Sequence, residues 1–122
     1  HFLYAKAYDV AGRSDLAARE RERVAEIIRR ALARNERDAS MLNGLAWACA
    51  THDLFLADAL KAADRAAALE PRNVDVLDTL AEVHFRIGNA AKAVEVESRA
   101  VTIDPKSQYL KDQIERFKRG DR

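Results

Sequence analysis

The chain has little of what a catalytic, metal-bound or disulfide-stapled protein requires. Cysteine occurs once, as Cys49, so no internal disulfide can form and the redox compartment stays open. Proline occurs twice and glycine four times in 122 residues, which leaves few interruptions to regular structure. Few segments alternate valine, isoleucine or aromatics with polar residues, so strands have little support. No apolar run approaches the roughly 18 residues of a membrane span. The N-terminus carries no secretory pattern. Neither sign of charge is in excess: 21 Lys and Arg stand against 20 Asp and Glu, a formal net charge of +1, which argues against nucleic-acid binding. Glycine-rich phosphate loops, nucleophile elbows and metal-binding helix motifs are also missing. Cys49 and His52 are three residues apart, but zinc needs three or four protein ligands and no second pair converges on them. No carboxylate pairs with a histidine or serine in a catalytic pattern. The expectation is a protein with no catalytic residues, no cofactor and no metal.

What is present is helix. The composition is 48% hydrophobic and 34% charged, and alanine, arginine, glutamate and leucine dominate, all good helix formers. Stops and starts predict a first helix over about 1–11, ended by Gly12, then a long one over about 14–34 with Ser14 as its candidate cap. The apolar stripe of the long helix is expected at Leu16, Val24, Ile27, Ile28 and Leu32. A third helix is expected over about 39–50, capped by Asp38, and a fourth up to Leu69 before Pro71. Helices over about 74–87 and 90–103 follow, separated by Gly88 and Asn89. After Pro105 a last helix runs to about 119 and is stopped by Gly120. Its apolar residues Leu110, Ile114 and Phe117 share one face.

An internal repeat ties these helices together. Leu80-Ala81 is followed by Ala93, Ala100 and Pro105; Leu45-Ala46 is followed by Ala59, Ala66 and Pro71. The spacing from Ala59 to Pro71 equals that from Ala93 to Pro105. Ala46 to Ala59 is one residue longer than Ala81 to Ala93, which places an insertion near His52 or Asp53. Upstream, Tyr4-Ala5, Tyr8, Gly12 and Ala17 make a third copy without its proline. Ala5 to Ala46 spans 41 residues and Ala46 to Ala81 spans 35, so the long second helix exceeds the usual repeat by about two turns.

At these residues the chain resembles the tetratricopeptide repeat family over nearly its whole length. Ala46 and Ala81 match that family's small residue in the first helix of each pair. Ala59, Ala66, Ala93 and Ala100 match the small residues of the second helix, Gly88 the turn glycine, and Pro71 and Pro105 the terminal proline. Departures fall where the family often has an aromatic late in the second helix, here Arg21, Ala63 and Glu97. The large residue late in the first helix is Tyr8, Cys49 and His84 in turn, and Asp53 stands for the turn glycine of the second repeat. The resemblance implies an all-α fold, a right-handed superhelical array of antiparallel helix pairs with a C-terminal capping helix. Its expected parts are a truncated repeat over about 1–37, repeats over about 38–72 and 73–105, and the cap over about 106–119, all in one domain. The chain begins with His1, inside a helical pattern, and is read as a piece of a longer protein whose targeting and location it does not reveal.

Proteins of this family commonly bind a peptide or partner domain on the concave face made by their first helices. Residue by residue, the resemblance implies a groove of Lys6, Asn43, Trp47 and Thr51, joined by Asp75, Asp78, Glu82, Phe85 and Arg86. Asp75, Asp78 and Glu82 share one helix face and are expected either to attract a basic peptide or to lie solvated beside Arg86. Trp47 is either an exposed anchor for a partner or a packing residue. Cys49 and His84 are expected to pack. Phe2, Gly44, Asp75 and Thr79 stand where a carboxylate clamp for chaperone tails would need lysine, arginine and asparagine, which argues against that ligand. The leading expectation is thus a protein-interaction module without nucleic-acid or membrane insertion. Self-assembly, spacing, or service as the non-catalytic arm of a larger enzyme are the alternatives.

Overall fold

A computed structural model of the protein describes residues 14–122. The expected first helix, its Gly12 stop and the groove candidate Lys6 lie outside the described residues. Those described form six α-helices and no strand: α1 Ser14–Ala33, α2 Ala39–Thr51, α3 Leu56–Leu69, α4 Val74–Ile87, α5 Ala90–Ile103 and α6 Gln108–Arg119. They belong to two compact units, His1–Glu36 and Arg37–Arg122.

In the first unit α1 buries Val24, Ala25, Ile28 and Ala31, a stripe at the i, i+4, i+7 spacing of one helix face. Ile27 departs from the expected stripe and is 42% exposed. One residue is about 100° of helical rotation, enough to move it to the stripe's edge. Glu26 and Arg30 pair one turn apart on the solvated side.

The second unit is built from helices whose ends are written into the sequence. Asp38 caps α2 by accepting from the Met41 amide at 3.1 Å. Asn73 caps α4 by accepting from the amides of Asp75 and Val76, at 3.0 and 3.3 Å. Asn89 and Ser107 do the same for α5 and α6. These side chains satisfy amides that have no partner inside the helix. At the other ends, Gly88 (φ 105) and Gly120 (φ 79) take the left-handed conformation that closes α4 and α6. Pro71 and Pro105 follow the ends of α3 and α5, where they cannot continue a helix.

The turn between α2 and α3 differs from that between α4 and α5. The latter needs only Gly88 and Asn89, whereas residues 52–55 make the former. Without a glycine, Asp53 (φ 52) and Phe55 (φ 49) both enter the left-handed region, which costs a side-chain-bearing residue of the order of 1 kcal/mol. The inserted residue expected near His52 or Asp53 is absorbed here.

Across these turns α2 packs on α3 and α4 on α5; α4 also lies against both α2 and α3, and α6 lies against α5. Alanine dominates the contacts: Ala46, Ala50, Ala59, Ala62, Ala63, Ala66, Ala81, Ala93 and Ala100 have no exposed surface. Such short side chains let helix backbones approach closely, and Leu42, Leu77, Val83, Val96, Leu110 and Phe117 fill the remaining space. Cys49, fully buried, packs as a small hydrophobe.

Candidate partner-binding face

The residues expected to line one groove meet different fates. On α2, Trp47 is 37% exposed, with exposed Met41 and Gly44 near it on the same side of the helix. Asn43 and Thr51 are half-buried. The Thr51 hydroxyl donates to the Trp47 carbonyl at 2.9 Å, a bond within the helix's last turn. Asn43 Oδ1 is buried and accepts no hydrogen bond.

On α4 the shared acidic face is divided. Asp75 is exposed in the first turn, whereas Asp78 and Glu82 are buried at 8% and 1% exposure, and Phe85 is buried beside them. Neither the solvated strip nor the peptide-attracting strip describes these two carboxylates, because α6 covers them. Tyr109 of α6 donates its hydroxyl proton to Asp78 Oδ2 at 2.8 Å and itself accepts from Gln113 Nε2 at 3.2 Å. Arg116 Nε donates to Gln113 Oε1 at 3.0 Å, and Arg116 Nη2 donates to Glu82 Oε1. From within α4, Arg86 Nε donates to Glu82 Oε2 at 2.8 Å, as the four-residue spacing suggests.

The Arg116 guanidinium lies over the rings of Phe85 and Phe117, 5.2 and 4.9 Å from their centroids. Those rings stand 4.9 Å apart. Stacking on aromatic faces is favourable for a partly desolvated guanidinium. Arg86 also reaches Asp53 at 3.3 Å, joining the strained turn after α2 to α4. Arg122 meets the same carboxylate and donates to the Arg86 carbonyl at 3.1 Å. Arg86 is therefore committed inside the unit and not offered to a ligand.

Beneath α6 lies a residue whose burial the sequence did not announce. Glu97 of α5 is fully buried, and neither carboxyl oxygen accepts a hydrogen bond. Burial, followed by the nearby Asp78 charge, pushes its pKa up to about 9. Burial also raises Asp78, against the neighbouring Glu97 carboxyl and the hydrogen bond from Tyr109, which favour its charged form. Tyr109 is raised as well, by burial and then by Asp78. Half-buried His84 is lowered, first by burial, and the burial of Cys49 pushes its thiol up to about 11.

One signal for the α6 contacts was present in the sequence. Tyr109, Gln113 and Arg116 fall at i, i+4, i+7, one position before the apolar set Leu110, Ile114 and Phe117. The residues expected on the solvated face of that helix, Lys111, Asp112, Glu115, Lys118 and Arg119, are all exposed. No cluster of three or more metal-ligating side chains occurs among the described residues. No helix there is long and apolar enough to cross a membrane. No protein-family model matches the chain, and no curated protein matches it.

Proposed function

We propose that the chain is a tetratricopeptide-like helical repeat, a right-handed array of helix pairs that acts without catalysis by holding a peptide or partner protein on the face carrying Trp47. The observation that carries this reading is a repeat that recurs in register and in burial. Ala46, Ala59 and Ala66 before Pro71, and Ala81, Ala93 and Ala100 before Pro105, are six alanines with no exposed surface. Close approach repeated at the same positions of successive helix pairs is what a stacked array requires.

The chemistry of the face narrows the partner. Asp78, Glu82 and Arg86 are used internally, which leaves Trp47 as an aromatic anchor and Asp75 as an exposed carboxylate. Indole rings at interfaces combine apolar area with one N–H donor. The partner that fits is a peptide with an apolar side chain for Trp47.

The test uses peptides selected from a display library on the immobilised chain, with affinities then measured for the wild type, Trp47→Ala and Ser98→Ala. Ser98 is exposed on α5. Trp47→Ala should weaken binding about tenfold or more, as truncating an aromatic hot spot does, while Ser98→Ala leaves it unchanged. Equal affinity for the wild type and Trp47→Ala overturns the assignment.

A further inference from the structure

Three carboxyl groups meet beneath α6, and the donors there do not suffice for three charges. Glu82 takes both guanidinium groups, Arg86 from α4 and Arg116 from α6. Asp78 takes the Tyr109 hydroxyl on Oδ2, while its Oδ1 is buried and has no partner. Glu97 has no donor on either oxygen and no exposed surface. An ionised carboxylate buried in this way is strongly disfavoured, since a charge taken out of water without a partner loses its solvation and regains nothing. Of the three, Glu97 alone has neither a cation nor a hydrogen-bond donor, so it is the one that must be neutral.

A protonated Glu97 removes the uncompensated charge and offers Asp78 Oδ1 the donor it lacks. A carboxylic acid has one O–H to donate, and the unpartnered oxygen that needs it belongs to Asp78. The two carboxyl groups are close enough to shift each other. We propose that Glu97 and Asp78 form a proton-binding site in which a single proton, carried on Glu97 and donated to Asp78, joins α5 to α4 beneath α6.

The site makes the packing of these three helices stable to acid and weakened by alkali. An unfolded glutamate releases its proton near 4.5, the folded one near 9. Between those values the folded protein holds a proton that the unfolded chain has lost. The stabilisation is complete below about pH 4.5 and falls as pH rises, with the unfolding constant growing about tenfold per pH unit. Above about pH 9 this contribution is flat. The charged and titratable groups that face Glu97 are Asp78 and Glu82 from α4 and Tyr109 and Arg116 from α6.

Two measurements on the full chain test this. The first follows the side-chain carboxyl carbon of Glu97 by ¹³C NMR from pH 4 to pH 9.5. A midpoint above pH 7 supports the site, and a midpoint at or below pH 7 overturns it. The second compares urea unfolding of the wild type and Glu97→Gln from pH 5 to pH 8. The amide of that variant would offer Asp78 an N–H in place of the O–H at nearly equal volume, with no proton to lose. The wild-type unfolding constant should rise about tenfold more per pH unit than that of E97Q. Equal slopes overturn the proposal, and if E97Q does not fold the ¹³C midpoint decides alone.

Discussion

Cys49 shows how one side chain can look chemical and be structural. It has no exposed surface, and its thiol is pushed up to about 11 by burial first and by Asp58 second. Only about one thiol in a thousand would be ionised at pH 8, and the thiolate is the reactive form. Disulfide-exchange reagents at pH 8 should therefore label the folded chain no faster than it opens, and label it rapidly in urea. Fast labelling without denaturant would contradict its placement. At this scale the sequence was readable wherever volume decides. The buried alanines and Cys49 sit where the repeat register puts them, because close helix packing tolerates little else there. Glu97 was visible only as a departure, a carboxyl where an aromatic is usual. Its neighbours Asp78 and Tyr109 come from two other helices, and no local pattern reveals such a meeting.

Helix ends followed from local chemistry, and that is why they were legible. Asp38 and Asn89 cap with their own side chains, and Gly88 and Gly120 close with positive φ, where the sequence places those ends; Asn73 and Ser107 cap in the same way without having been marked by it. The turn after α2 was less legible, since Asp53 and Phe55 adopt left-handed backbone without glycine. The larger difference lies in α6. Its apolar stripe follows from the sequence pattern, but the adjoining stripe of Tyr109, Gln113 and Arg116 looks solvated until α4 is placed beneath it, and that stripe removes Asp78 and Glu82 from the surface. Arg116→Met takes away the Glu82 contact, the Gln113 bond and the stacking on Phe85 and Phe117. It should cost about 2–4 kcal/mol, below the full penalty of stranding a buried charge because Arg86 still holds Glu82. In a double-mutant cycle with Glu82→Gln, the coupling should be about 1–3 kcal/mol by urea unfolding. A coupling indistinguishable from zero would mean that the two side chains do not interact in solution.

At the scale of the molecule, the all-helical architecture of the described residues was legible because composition, caps and the alanine register point the same way. The expected face was only partly so. Trp47 and Asp75 are exposed, whereas Asp78 and Glu82 are spent on internal contacts, a distribution set by the last helix and not by α4 itself. Everything said of these carboxylates requires α6 to be an integral layer of the 37–122 unit. Native-state hydrogen exchange at pH 6 tests this most directly. With α6 held by Leu110 and Phe117 in the core and by Tyr109 and Arg116 on α4, the amides of residues 111–117 should exchange with the same opening free energy as those of 78–83. Amides of 111–117 that exchange by local fraying, far faster than the α4 set, would contradict it and return Asp78 and Glu82 to the surface.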